Sequence, residues 1–211
     1  MTGHIGVDES GKGDYFGPLV IAACYVGPEH LAELEGVRDS KKLTDNVALN
    51  LSRRIRAVCP HAVVAIGPSK YNELYARIGN LNHLLAWGHA KAIENVLEVQ
   101  PADLAISDQF ADPRLILSRM QERGRGIRLE SKVRAESDVA VAAASILARA
   151  EFLRRLQALS DEHGIPLPKG AGTGVPETAI RFAREKGFSR LGEVAKLHFK
   201  TTDKVRAAVG A

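Results

Sequence analysis

Two periods of hydrophobic patterning run along the chain. Short apolar runs bounded by turn residues lie at 4–7, 18–26, 61–67, 104–106 and 126–130, and runs of that length predict strands. Residues 18–26, PLVIAACYV, are almost continuously apolar, the pattern of a strand covered on both faces and so central in a sheet. Elsewhere the apolar positions recur at helical spacing. Pro28 opens a short helix to 35, and Thr44 or Asp45 caps a helix running to about 58. Pro68 and Ser69 begin a helical region that a polar stretch, Gly79-Asn80-Leu81-Asn82, interrupts and Pro101 closes. Residues 139–153 are rich in alanine and free of glycine and proline, which predicts a helix able to pack very close to a sheet, with Ser137 or Asp138 as its N-cap. Residues 175–186 predict a further helix, stopped by Gly187. Strands interleaved with helices make this an α/β protein.

The polar residues that break these runs carry the candidate chemistry. Asp8 and Glu9 stand at the end of the first strand, where alternation of side chains keeps both from entering one core and leaves at least one facing a cleft. Glycines 11, 13 and 17 follow, with Lys12 between the first two, a bare backbone suited to close approach of a phosphate or ribose. Asp108 falls just past the 104–106 strand; it either closes a turn or caps the helix beginning near Pro113, or it joins Asp8 and Glu9, since carboxylates at neighbouring strand ends can converge on one cation. The connection Asp39-Ser40-Lys41-Lys42-Leu43 reads as a solvated loop or as phosphate contacts, the Gly-rich loop at 166–174 with Lys169 as a plain linker or a phosphate contact, and Lys196-Leu197-His198-Phe199-Lys200 with the two threonines after it concentrates basic and hydroxyl groups near the C-terminus. His83 and His89 are six apart, a spacing that does not stack two ligands on one helical face, so they read as ordinary helix residues rather than a zinc pair.

Composition narrows the partner more than the fold. At 211 residues the chain suits one domain, with about 165–211 as a C-terminal helical extension, and its 45% apolar and 26% charged residues exclude a disordered protein. A net charge of +4 and a pI near 9.1 fit a polyanionic partner. Cys24 and Cys59, the only cysteines, lack the spacing of a zinc or redox motif. Neither a leader pattern nor an apolar run of about 18 residues appears, so the expectation is a cytoplasmic protein without membrane association, and a monomer.

The string Val7-Asp8-Glu9-Ser10-Gly11-Lys12-Gly13-Asp14-Tyr15-Phe16-Gly17-Pro18 resembles the signature of the type 2 ribonucleases H, and is more similar to the HIII branch than to the HII branch. Asp39-Ser40-Lys41-Lys42-Leu43, the stretch 80–95, Asp108-Gln109-Phe110, Leu167-Pro168-Lys169-Gly170-Ala171-Gly172 and Lys196-Leu197-His198-Phe199 extend the likeness from about residue 4 to about 203. The resemblance implies a ribonuclease H-like fold with a central mixed sheet flanked by helices. It also implies an endonuclease that cleaves the RNA strand of RNA–DNA hybrids with two Mg²⁺ or Mn²⁺ ions, leaving 5′-phosphate and 3′-hydroxyl ends. Asp8, Glu9 and Asp108 match the family's metal-binding carboxylates. For the fourth, the Lys-Ala-acid pattern maps onto Arg134-Ala135-Glu136 and favours Glu136, while Asp138 stands closer to the helix start; both stay open. Ser10, Gly11, Lys12, Gly13, Lys41, Lys42, Lys169 and Lys200 become the candidate substrate contacts, with main-chain groups of the glycine turn suited to the 2′-hydroxyl. One departure stands out: the acidic pair begins at residue 8, which leaves no room for the substrate-binding domain that HIII proteins usually carry ahead of it. The competing readings are HII-like cleavage at single ribonucleotides in DNA, a metal-dependent DNA nuclease, and a non-catalytic hybrid-binding module, the last of which leaves the clustered acids unexplained.

Overall fold

In the computed structural model, residues 3–37, 43–108, 112–132 and 135–211 are described, apart from the side chain of residue 136. Five strands form one sheet in the order β3-β2-β1-β4-β5, with β1 at His4–Ser10, β2 at Leu19–Val26, β3 at His61–Ile66, β4 at Leu104–Asp108 and β5 at Arg128–Lys132. β1 pairs antiparallel with β2 and parallel with β4, which pairs parallel with β5. The sheet is therefore mixed, as the resemblance implies. Every residue of β2 is buried, which its uninterrupted apolar run requires.

The helices are α1 (Asp45–Val58), α2 (Pro68–Ile78), α3 (Leu81–Leu97), α4 (Pro113–Leu117), α5 (Val139–His163), α6 (Val175–Lys186) and α7 (Thr201–Val209), with 3-10 turns at Pro28–Leu34, Ala135–Ser137 and Phe188–Glu193. Most boundaries follow local chemistry. The Thr44 hydroxyl accepts from the Val47 N–H at the start of α1, Asn80 caps α3, and Gly187 ends α6.

Five expectations shift. β1 continues one residue past the acidic pair, through Ser10, and β4 takes in Asp108 as its last residue rather than ending before it. Asp112, not Asp108, caps α4, accepting from the Arg114 N–H at 2.9 Å. The final strand begins two residues later than its hydrophobicity suggests, because a turn closed by the Ile127 N–H on the Gly124 carbonyl (3.1 Å) occupies that stretch. α5 runs ten residues beyond 153; no breaker intervenes until Gly164, which adopts φ +67°.

The chain divides into two compact units. The first takes in the segments up to Ser10, Val20–Val64 and Asn80–Glu151, and holds nearly all of the sheet; the second takes in Gly11–Leu19, Ala65–Gly79 and Phe152–Ala211. The helices expected over about 165–211 thus belong to a unit that also draws on two earlier segments. Within the first unit, Gly6 sets the approach of helix to sheet: a Cβ there would lie 2.1 Å from the backbone of Ala140 and Val141. Any larger residue at position 6 would push the start of α5 off the sheet.

Candidate active site

β1 and β4 pair Ile5 with Ala105, Gly6 with Ile106 and Val7 with Ser107, and Asp8 and Asp108 are the next residues of the two strands. Strand alternation gives Asp8 the face of Gly6 and Asp108 that of Ile106, the face on which Gly6 meets the start of α5 and Ile106 packs with Val141. Asp8 Oδ1 accepts from the Glu9 N–H at 2.8 Å, and its carboxylate also accepts from the Ser145 hydroxyl on α5. Burial first, and then the neighbouring Glu9 charge, push the Asp8 carboxyl up to about 6, against the hydrogen bonds from Ser145 and the Glu9 N–H and the charge of His89. Asp108 Oδ1 accepts from the Ala135 N–H at 3.3 Å, in the turn that leads to α5.

Alternation along β1 turns Glu9 away from Asp8, yet its charge and that of His89 still reach the Asp8 carboxyl. Glu9 Oε2 lies 3.1 Å from Nε2 of His89, a fully buried ring on α3. Nothing local signals this contact, because the two residues are 80 positions apart and the spacing of His89 from His83 says nothing of Glu9.

Asp138 behaves as a helix cap. Its Oδ1 accepts from the N–H groups of Ala140 (2.9 Å) and Val141 (3.1 Å), and both its oxygens lie 2.9 Å from Nε2 of His4. Burial opposes its ionisation, but the His4 hydrogen bond and charge and the two backbone amides outweigh it, and the carboxyl lies below its ordinary value. The cap contributes about 1 kcal/mol, so Asp138→Ala should lower the melting temperature at pH 7 by about 2–4 °C. A carboxyl with a depressed folded pKa stabilises above its unfolded pKa and loses that contribution as pH falls through the folded value. The deficit of Asp138→Ala should accordingly shrink in melts at pH 3, and a deficit that is the same at both pH values would remove the ionised cap from the account. The Glu136 side chain lies outside the described residues.

Among the described residues no group of three acidic, histidine or cysteine side chains is arranged to hold a metal ion. The chemistry of the donors nonetheless fits a hard divalent cation: Asp8 and Asp108 offer carboxylate oxygens on one face, and a buried carboxyl raised to about 6 is one whose charge a bound cation would stabilise.

The candidate substrate contacts are spread through the chain. Lys41 and Lys42 lie outside the described residues, and Ser10 ends β1. In the second unit, Gly11 has φ +87° and a Cβ there would lie 2.1 Å from the Pro18 carbonyl oxygen, so the fold itself requires glycine. Around Gly13 the space is open, which suits the close approach expected of this turn. Lys169 is exposed and precedes Gly170, whose N–H donates to Asp14 Oδ1 at 2.6 Å. Lys200, also exposed, caps α7.

The same unit contains a lysine whose setting nothing local in the sequence signals. Lys196 is fully buried, and its ammonium donates to the carbonyl oxygens of Gly17 (2.7 Å), Asp14 (2.8 Å) and Phe16 (3.5 Å). The Lys196 N–H donates to the Tyr15 carbonyl at 2.9 Å, and the Tyr15 hydroxyl pairs with that of Thr202 at 3.1 Å. Lys196 thus fixes the loop that follows the acidic strand.

With this geometry in place, comparison with known proteins identifies the lineage. The family described as Ribonuclease HII matches residues 5–202. The chain is 45% identical over 212 residues to a ribonuclease HIII of Protochlamydia amoebophila, covering all of this chain and 70% of that protein. It is 47% identical over 207 residues to a ribonuclease HIII of Chlamydia pneumoniae, covering 96% and 70%. The crystal structure of Bst-RNase HIII in complex with Mn²⁺ superposes with a TM-score of 0.90 at 37% identity, covering 98% of this chain and 70% of that one. On the acidic strand pair, the mixed sheet and these likenesses together, the chain belongs to the ribonuclease HII family.

Proposed function

We propose that the protein is a metal-dependent ribonuclease H that hydrolyses the RNA strand of RNA–DNA hybrids as an endonuclease, leaving 5′-phosphate and 3′-hydroxyl ends. The observation that supports this reading most is the β1–β4 register, after which Asp8 and Asp108 follow as the next residues of adjacent strands, with Asp8 a buried acid whose charge a cation would stabilise. Mg²⁺ or Mn²⁺, two ions in all, would be held by Asp8, Glu9, Asp108 and a fourth carboxylate. When bound, such ions neutralise charge in the phosphoryl transition state and lower the pKa of the attacking water. The chain's own residues prepare for this. The Glu9 N–H and the Ser145 hydroxyl orient the Asp8 carboxylate, the Ala135 N–H orients Asp108, and β1 fixes the spacing of the acids.

Glu136 is the better fourth ligand, because Asp138 already accepts hydrogen bonds from two amides and His4. Glu136→Gln should therefore cost at least about a hundredfold in cleavage, more than the loss of a group that only orients a metal ligand, with little change in melting temperature. Asp138→Asn should mainly affect stability. A larger loss of cleavage in Asp138→Asn would reverse the assignment.

Ser10, Gly11, Lys12, Gly13, Lys41, Lys42, Lys169 and Lys200 are proposed to meet the hybrid, the lysines gripping phosphates without reading sequence. Among the described residues no helix is long and apolar enough to cross a membrane. A cytoplasmic monomer serving DNA replication and repair is the setting that suits this activity. Matched duplexes test the reading: a continuous RNA–DNA hybrid should be cut faster than an all-DNA duplex or a duplex with one embedded ribonucleotide. Preferred cutting at the single ribonucleotide would indicate HII-like specificity, and preferred cutting of all-DNA duplex would overturn the proposal.

A further inference from the structure

We infer that His89 is a positioning residue for Glu9, fixing the orientation in which that carboxylate meets a divalent cation. The inference rests on the metal-dependent reading above. Its basis is the packing of α3 on the face of the sheet opposite Asp8. Ile21 is the residue paired with Glu9 across β1 and β2, and Gly88 sits against it so closely that a Cβ there would lie 2.6 Å from Ile21 Cδ1. The helix therefore makes its close approach at the register step occupied by Glu9, and the next residue along the helix is His89.

Its ring is 0% exposed, with Leu85, Ala86, Ala92 and Ile93 also buried on α3, so it has no room to swing away. An ionised carboxylate only accepts hydrogen bonds. Nε2 of His89 lies 3.1 Å from Glu9 Oε2, and beside an ionised carboxylate the tautomer that makes this bond is the one with the proton on Nε2. A charge-assisted bond from this buried ring holds the Glu9 carboxylate in one orientation. Burying an imidazole in an apolar helix face is costly without a partner, and here the partner is the acid of the motif. Groups that orient metal ligands in this way typically change metal affinity by about 10- to 100-fold when lost.

The test uses two polar replacements of similar burial cost. The amide nitrogen of His89→Gln reaches the place of Nε2, whereas that of His89→Asn falls short. Titration of Mn²⁺ alone into each protein, followed by calorimetry, should show affinity weakened about 10- to 100-fold in His89→Asn and close to wild type in His89→Gln. The loss should vanish when His89→Asn is introduced on a Glu9→Gln background. Wild-type affinity in His89→Asn, an equal loss in both single variants, or a full additional loss on the Glu9→Gln background would each overturn the inference. A wild-type protein that binds Mn²⁺ and cleaves hybrid while His89→Asn does both equally well sinks His89 alone, whereas a wild-type protein that binds no Mn²⁺ sinks the functional reading and this inference with it.

Discussion

Asp8→Asn should remove hybrid cleavage and at the same time stabilise the metal-free protein. The first effect follows from the loss of a carboxylate at the centre of the acidic site. Loss of a group that merely orients a metal ligand costs up to about a hundredfold, so loss of a ligand itself should cost at least that much. The second effect follows from the raised carboxyl. Asp8 titrates at about 6 in the folded chain against an ordinary 3.8, so between those values the native state binds more protons than the unfolded one, and stability falls as pH rises through the interval. Above pH 6 the ionised group costs an amount on the order of 3 kcal/mol. Asparagine is nearly the same shape, and its side-chain oxygen can still accept from the Glu9 N–H. The melting temperature of Asp8→Asn at pH 7.5 without metal should therefore exceed that of wild type by up to about 10 °C, and the gap should close towards pH 4. Mn²⁺ should raise the melting temperature of wild type and leave that of Asp8→Asn little changed. Differential scanning calorimetry with and without Mn²⁺ reads all of these outcomes. A destabilised Asp8→Asn would mean that the acid contributes to folding rather than opposing it.

Lys196→Met should be among the most damaging single changes for stability. Burial alone draws this amine down to about 7, with Asp14 opposing. The three carbonyl acceptors also favour the ammonium, since a neutral amine has only two N–H donors to offer them. Methionine fills a similar volume but leaves the carbonyls of Asp14, Phe16 and Gly17 without this donor. Each buried acceptor so orphaned costs about 1–3 kcal/mol, and a total of about 3 kcal/mol corresponds to a fall in melting temperature of about 6–12 °C for a chain of this size. Thermal melts followed by far-UV circular dichroism would check it. A change below about 2 °C would mean that water replaces the ammonium at these carbonyls.

The sequence was most legible where one local cause decides the outcome. The alanine run after Asp138 forms its helix, and Gly187 and Asn80 punctuate where their chemistry predicts. The acidic pair was found because two carboxylates beside a glycine-rich turn make an unusual string. What stayed hidden depends on long-range partners. Lys196 sits in a polar string, yet it is buried because backbone carbonyls about 180 residues away in sequence accept its protons. His89 reads as a helix residue until the β1–β2 register brings Glu9 to it. Asp138 and Glu136 are likewise indistinguishable from sequence alone, because the amides and His4 that Asp138 accepts from come into place only in the fold.

The central claim is that hydrolysis occurs at a metal-loaded carboxylate site built around Asp8. The most direct measurement is end-group analysis of a uniformly paired RNA–DNA hybrid incubated with wild type and Mn²⁺, with chelator, or with Asp8→Asn and Mn²⁺. The account predicts internal cuts in the RNA strand bearing 5′-phosphate and 3′-hydroxyl ends with wild type and metal alone. RNA cleavage that persists in chelator or in Asp8→Asn, or that leaves 2′,3′-cyclic phosphate ends, would contradict it.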